Sequence, residues 1–339
     1  MRLASFRSVS LSIAAVITAA PFAAAFAAQS ATAVPNVPAS NWKPERPIEF
    51  IVQAAAGGGS DIFARNMARI MTSEKIVTVP VNVVNKPGGS GAVAYSYLRG
   101  KRGDPHVIAT ATGSYLTTPI QGHSPVSYKD FTNTAILCVE DYVGVVRAES
   151  PYKTLKELVE AARKKPNGIR IGGSSVGSSD NIIENRLEKA AGIQLNYIVF
   201  QSGGEANAAL LGGSVDFASP NPSEAAQLIQ AGRLRPIAMF SPERLEKWPN
   251  VPTAREQGFD VTLEQHRGVV AAGGLTKDQS LFWQGAMVKL FQTAEFKKYM
   301  SDNGLRPLLK VGDDSEKYVA EQNKFYTEIL TELGVAKKK

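Results

Sequence analysis

The sequence is poor in the residues on which disulfides and metal sites depend. Its 339 residues include one cysteine, Cys138, and three histidines, which are His106, His123 and His266. A single cysteine excludes a disulfide within the chain, so the fold must be stabilised by a buried core. Because the histidines show no His-Glu-x-x-His spacing, we expect no metal site and no cofactor.

Charged residues are missing from one long segment near the N-terminus. Arg2 and Arg7 are followed by no charged residue before Lys43. A basic start, an apolar core and then small residues are typical of a secretory signal. We therefore predict a cleaved signal peptide over residues 1–28, an unstructured leader over 29–45, and a periplasmic location.

The rest of the chain lacks the features of membrane and nucleotide-binding proteins. No later apolar run approaches the roughly 20 residues that a membrane span requires. A glycine pattern at residues 89–94 matches the dinucleotide fingerprint, but no acidic residue stands about 20 positions further on to hold a ribose. The net charge of +7 is modest and dispersed, so the composition favours an anionic ligand over nucleic acid.

Short apolar runs alternate with amphipathic segments, which predicts an α/β fold with parallel sheets covered by helices on both faces. A strand over residues 48–52 and a helix over 60–74 begin this pattern. The closing helices need a sheet to cover, and packing on the first one would divide the molecule into two lobes with a cleft between them. We predict lobe 1 over 46–143 plus 267–339, and lobe 2 over 144–266.

Candidate binding residues lie where strands end in glycine, serine or threonine just before a helix begins. Such strand ends converge at the carboxyl edge of a parallel sheet, where ligands bind. Backbone N–H groups and helix dipoles there attract anions. The loops therefore predict a bound carboxylate or phosphate, and they are Gly57–Ser60, Thr112–Ser114, Gly173–Ser175 and Gln201–Gly204.

One of these loops also matches the nucleophile elbow of serine hydrolases. The pattern Gly-x-Ser-x-Gly at 173–177 places Ser175 on a strand-to-helix turn, and Asp216 or Asp260 followed by His266 would complete a triad. The chain has no HGGG-type oxyanion segment, and glycine-rich loops produce this pattern by chance. A secreted esterase is thus the alternative to a binding protein.

Arg267 begins a short apolar strand at the second predicted crossover between the lobes. An arginine in this position can bind a ligand carboxylate through two parallel hydrogen bonds. It can equally form a salt bridge with a neighbour such as Glu264. The sequence leaves both roles open.

Several motifs occur together in a characteristic order, each weak alone but specific as a set. They are Pro47-Ile48-Glu49-Phe50-Ile51-Val52, Gly57-Gly58-Gly59-Ser60-Asp61-Ile62-x-Ala64-Arg65, Val84-Asn85-Lys86-Pro87-Gly88-Gly89-Ser90-Gly91, Leu211-Gly212-Gly213-x-Val215-Asp216 and Val251-Pro252-Thr253-x-x-Glu256-x-Gly258. With the signal peptide ahead of them, the chain resembles the solute-binding receptors of tripartite tricarboxylate transporters, periplasmic binding proteins of the Bug type.

The resemblance implies a two-lobed, Venus-flytrap receptor without enzymatic activity. Such receptors clamp a ligand carboxylate between loops of both lobes and deliver it to a two-component integral membrane permease, usually as monomers. The crossovers between the lobes would fall near 141–147 and 264–269. Carried onto this chain, the contacts would be Gly57, Gly58, Gly59, Ser60, Thr112 and Ser114 from lobe 1, and Ser174, Ser175, Gln201 and Asn221 from lobe 2.

The chain departs from the family pattern at three places in these loops. Gln53 and the alanines after it replace the usual proline before the first glycines, Gln201-Ser202 replaces an aromatic or lysine, and His266 stands where tryptophan is usual. The basic pair His266-Arg267 would add positive potential to the cleft. It therefore favours a di- or tricarboxylate ligand such as citrate.

Overall fold

The structure is a computed structural model that describes residues 34–337. The predicted signal peptide lies outside the described residues. The described part of the predicted leader, residues 34–45, forms neither helix nor strand.

The described residues form a chain of short strands and helices that alternate along most of the sequence. The strands are β1 (Ile48–Val52), β2 (Val81–Asn85), β3 (Val107–Ala111), β4 (Thr132–Glu140), β5 (Val143–Arg147), β6 (Arg170–Gly173), β7 (Asn196–Val199), β8 (Phe217–Ala218), β9 (Leu234–Met239), β10 (Gln265–Ala271) and β11 (Arg306–Val311). The helices are α1 (Gly59–Ser73), α2 (Ala92–Gly100), α3 (Gly113–Ile120), α4 (Leu155–Lys164), α5 (Ser179–Ala191), α6 (Gly203–Leu211), α7 (Pro222–Gln230), α8 (Lys277–Gln292), α9 (Ala294–Asp302) and α10 (Asp313–Glu332).

The strands form two sheets, one in each lobe. The first has the order β11-β4-β10-β3-β1-β2 and the second the order β7-β6-β8-β5-β9. The predicted two-lobed α/β architecture is therefore confirmed. The chain passes between the sheets twice, from β4 to β5 and from β9 to β10, so the first sheet combines strands from both ends of the described chain.

The expectation of purely parallel sheets is wrong. The parallel pairs are β1 with β2 and β3, and β6 with β7 and β8. The strands at the crossovers run against their neighbours, since β10 is antiparallel to β3 and β4, and β5 is antiparallel to β8 and β9. Parallel neighbours require a crossover connection, usually a helix, that returns the chain to the edge of the sheet where the first strand began. Strands β5 and β10 enter their sheets directly from the other lobe, so no such connection sets their direction.

Helices cover both faces of the first sheet. Buried aromatic residues of α1, α8 and α9, among them Phe63, Trp283 and Phe296, pack on one face. Tyr115 of α3 and Tyr326 of α10 pack on the other. Each large apolar side chain buried in this way contributes roughly 1.5–3 kcal/mol, and α10 thereby returns the C-terminus to the first lobe.

Cys138 lies in β4 and is fully buried on the face of the first sheet that α1, α8 and α9 cover. Burial raises the pKa of its thiol well above the ordinary value, so the side chain behaves as a small apolar residue. None of the helices between residues 34 and 337 is long and apolar enough to span a bilayer.

Candidate functional site

A cavity of about 270 Å³ lies between the two lobes. Helix N-termini from both sides reach it, those of α1 and α3 from the first lobe and those of α5, α6 and α7 from the second. The strands that precede these helices end at the cavity, which is why short residues such as Gly59 and Ser114 line it. The arrangement exposes backbone N–H groups and the positive ends of helix dipoles to one enclosed volume.

The structure brings most of the predicted contact residues together at this cavity. Gly57 and Arg267 are outside its lining. The predicted residues that line it are Gly58, Gly59, Ser60, Thr112, Ser114, Ser174, Ser175, Gln201 and Asn221.

The N-termini of α3 and α5 contact one another beside the cavity, which Thr112, Ser114 and Ser178 line. A side chain at Gly113 would come within 2.7 Å of Ser179 Oγ on the opposite lobe. Thr112 and Ser178 are the N-cap residues, and neither side chain caps its own helix. Two positive helix ends repel one another unless an anion lies near both. The carboxylate in the first turn of α5, Asp180, accepts from Ser174 and Tyr197 within the second lobe. We call the region between the two helix ends the anion pole.

Gln53 is a cavity residue that the sequence flagged only as a departure from the family. Its amide nitrogen donates to Ser60 Oγ and to Thr112 Oγ1, both at 2.9 Å. Gln53 therefore ties the loop before α1 to the loop before α3 within the first lobe. A proline at this position would offer neither hydrogen bond.

Arg267 lies beneath the loop that opens α1 and is almost completely buried. Its guanidinium forms a buried salt bridge with Glu140 of β4 and donates to Asn221 Oδ1 at 3.0 Å. A side chain at Gly59 would lie 2.3 Å from Arg267 Nη2, and the guanidinium contacts the lining residue Ser60 without lining the cavity itself. Of the two roles left open, the salt bridge is present, with Glu140 as partner, while Glu264 pairs with Arg306.

His266 does not supply positive charge to the cleft. Burial, with a smaller effect of the adjacent Arg267, lowers the pKa of His266 to about 4, so the ring is neutral at physiological pH. It contacts the edge of Tyr318, and neither ring nitrogen has a hydrogen-bond partner among the described residues. The reason for favouring a tricarboxylate such as citrate is therefore removed.

The residues of the hydrolase alternative do not form a triad. Asp216 is paired with Arg170 at 2.7 Å, and Asp260 is paired with Arg255 at 2.7 Å. Both carboxylates are thus engaged elsewhere, and the ring of His266 bonds neither of them nor Ser175. A triad requires the base to contact both the nucleophile and the orienting acid.

Glu224 is the cavity residue that sequence reasoning missed as a site residue. It stands at the third position of α7, where a glutamate is typical of a capping box. Its Oε2 accepts the N–H of Asn221 at 2.9 Å, as a capping residue does, but its Oε1 accepts the N–H of Gly59 in the other lobe at 2.6 Å. Burial raises the pKa of Glu224 to about 7. The local pattern gave no signal of the contact between lobes.

Other contacts also join the two lobes around the cavity. The N–H of Ala55 donates to the carbonyl of Gln201 at 3.2 Å, and Ser90 Oγ donates to the carbonyl of Val176 at 3.3 Å. The lobes are therefore closed on one another. No group of three His, Cys, Asp or Glu side chains suitable for a metal occurs within residues 34–337.

Comparison with known proteins places the chain in a family. The model of the tripartite tricarboxylate transporter family receptor matches residues 63–335, which is most of the chain. A UPF0065 protein from the gbd 5′ region of Cupriavidus necator is 27% identical over 95% of this chain and 98% of its own length.

Solved structures show the same fold at low sequence identity. The periplasmic binding protein BugD superposes with a TM-score of 0.82 at 24% identity, over 87% of this chain and 100% of its own. An R. palustris protein solved with adipate superposes with a TM-score of 0.81 at 19% identity, over 86% of this chain and 99% of its own. The chain belongs to the tripartite tricarboxylate transporter family of receptors, which are periplasmic solute-binding proteins.

Proposed function

We propose that this protein captures a small organic acid by closing its two lobes around it and then delivers it to a two-component integral membrane permease. The observation that carries the proposal is the anion pole, where α3 of the first lobe and α5 of the second present uncapped N-termini to one cavity. A carboxylate at this point contacts both lobes at once. Ligands that contact both lobes favour the closed state.

The charge lining the cavity supports an acid of low charge over citrate. The lining residues within the described chain include the carboxyl groups of Asp180 and Glu224 but no lysine, arginine or histidine. Five helix N-termini at about half a unit of positive charge each are largely offset by these two carboxyl groups, which suits one ligand carboxylate better than three. The R. palustris structure with adipate supports an organic acid as ligand, since that protein shares the fold.

The proposed moving parts follow the lobe boundaries predicted from the sequence. Lobe 1 (46–143 plus 267–339) and lobe 2 (144–266) rotate about the two crossover segments, between β4 and β5 and between β9 and β10. The receptor acts as a monomer after removal of residues 1–28. Closure then brings the loops of both lobes onto the ligand.

A thermal-shift screen followed by calorimetry tests this function. Small mono-, di- and tricarboxylates are compared with their fully amidated, uncharged analogues at pH 8. We expect a few acids to raise the melting temperature, since a ligand at 1,000 times its Kd stabilises the folded state by about 4 kcal/mol. The neutral analogues should have no effect, and a screen in which no acid stabilises the protein would refute the proposal.

A further inference from the structure

Another part of the cavity lining, formed by the loop before α1 and the start of α7, contains a carboxyl group of the protein itself. Glu224 places its side chain between the N-termini of α1 and α7, where its two oxygens accept the N–H groups of Gly59 and Asn221. A side chain at Gly203, the first residue of α6, would lie within 2.5 Å of the same carboxylate. A carboxyl group of the protein therefore accepts N–H groups at the starts of two helices and lies next to the start of a third.

We infer that Glu224 determines ligand specificity by occupying this second anion position, so that the receptor selects acids with one carboxylate and an uncharged, hydrogen-bonding far end. The inference rests on the proposed function, because it assumes that the ligand's carboxylate binds at the anion pole. A diacid would have to place its second carboxylate against Glu224, where burial weakens the screening of like charges.

The groups beside Glu224 indicate what the far end of the ligand carries. Asn221 also lines the cavity, but its Oδ1 accepts from Arg267 and its Nδ2 is not exposed to the cavity. Each carboxylate oxygen of Glu224 keeps a free lone pair after accepting one N–H group. These free lone pairs are complementary to a ligand group that donates a hydrogen bond, such as a primary amide or a hydroxyl.

The other charges around Glu224 do not remove this preference. Arg267 does not line the cavity and is already paired with Glu140, so it is not available to neutralise a second ligand carboxylate. Asp180, the other acid of the lining, is in the first turn of α5 and therefore beside the anion pole. Its oxygens accept from the backbone N–H and hydroxyl of Ser174 and from the hydroxyl of Tyr197, so its charge is stabilised within the second lobe.

Calorimetry with matched ligands tests the inference. Succinate, glutarate and adipate are compared with their half-amides, which keep the shape but replace one carboxylate by an amide. If the screen identifies an acid with another carbon skeleton, its diacid and half-amide are compared in the same way. At pH 8.5 Glu224 is ionised, since its pKa is about 7. We expect the wild-type protein to bind a half-amide at least tenfold more tightly than its diacid, and Glu224→Gln to reduce this ratio at least tenfold.

Glu328→Gln is the matched control, because Glu328 is exposed on α10 and outside the cavity lining. It should leave the ratio unchanged. Diacids that bind the wild-type protein as tightly as their half-amides, or an unchanged ratio in Glu224→Gln, would overturn the inference and leave the proposed function intact. If Glu224→Gln does not fold, the wild-type ratio still decides. Absence of binding by every acid would instead refute the proposed function itself.

Discussion

Glu184 is a buried acid of α5 that makes stability depend on pH. Ser219 Oγ donates to its Oε1, while its Oε2 has no partner in the described part of the chain. Burial raises the pKa of Glu184 to about 8, from an ordinary value of 4.5. Between these values the folded protein keeps a proton that the unfolded chain releases. The free energy of unfolding therefore falls as pH rises through this window, and the effect is complete above pH 8.

Glu184→Gln should remove this loss, because glutamine has the same shape and carries no titrating proton. We expect the stability of the variant relative to wild type to increase from pH 5 to pH 8 by roughly 2–4 kcal/mol. Urea unfolding at several pH values measures it. The low pKa of His266 acts in both proteins and cancels in the difference.

Glu328→Gln provides the comparison for an exposed acid and should show no such trend. Curves of stability against pH that run parallel for wild type and Glu184→Gln would contradict the interpretation. Glu184 is thus a buried acid outside the cavity lining that affects stability, whereas Glu224 is an acid that lines the cavity.

Helix α5 contributes to the site because no side chain caps its N-terminus. Its N-cap, Ser178, is a residue type that normally caps a helix, yet its hydroxyl donates to the carbonyl of Ser175 at 2.6 Å instead of accepting a helix N–H. The first N–H groups of α5 are left for another acceptor. By comparison, Ser202 caps α6 through the N–H of Glu205.

Ser178→Asp should place a carboxylate where we propose that the ligand's carboxylate binds. An acidic N-cap is favourable for a helix, so we expect the free energy of unfolding to change by no more than about 1 kcal/mol. Affinity for the acid found in the screen should fall at least tenfold, as measured by calorimetry. Ser178→Asn, a neutral cap of the same size, should retain most of the affinity; equal losses in both variants would point to a steric effect.

At the scale of the whole molecule, closure depends on close backbone contact between the lobes. A side chain at Gly204 of α6 would lie 2.7 Å from the carbonyl oxygen of Gly57 in the first lobe. Backbone atoms of a packed loop cannot move aside as a flexible side chain can. Gly57, which is outside the cavity lining, therefore belongs to the surface along which the lobes meet.

Gly204→Ala should favour the open state without disturbing either lobe. We expect ligand affinity to fall about tenfold or more, because binding must then drive an unfavourable closure. Small-angle scattering of the liganded protein should report a larger radius of gyration than wild type. Gly285→Ala in α8, where the added methyl group meets no atom within 4 Å, should change neither quantity. Unchanged affinity in Gly204→Ala would contradict a closure mechanism.

The sequence alone determined the elements and the loops of the site. Apolar periodicity identified β1 to the residue and α1 to within one residue at each end, and glycine and serine at strand ends identified the loop around Gly59 and the loop around Ser114. These are local signals, because periodicity and helix starts depend on neighbouring residues. The order of the family motifs along the chain extended them to a two-lobed receptor.

Only the tertiary structure decided which charges face the ligand. Glu224 and Gly59 are 165 positions apart, and Arg267 finds its partner in β4 instead of at neighbouring Glu264. Whether a charged side chain lines a cavity, or is neutralised beneath a backbone, depends on burial and on partners remote in sequence. Local patterns contain neither, so the sequence predicted the loops to which an anion binds, while the folded chain decided that the carboxyl group of Glu224 joins them from the other lobe.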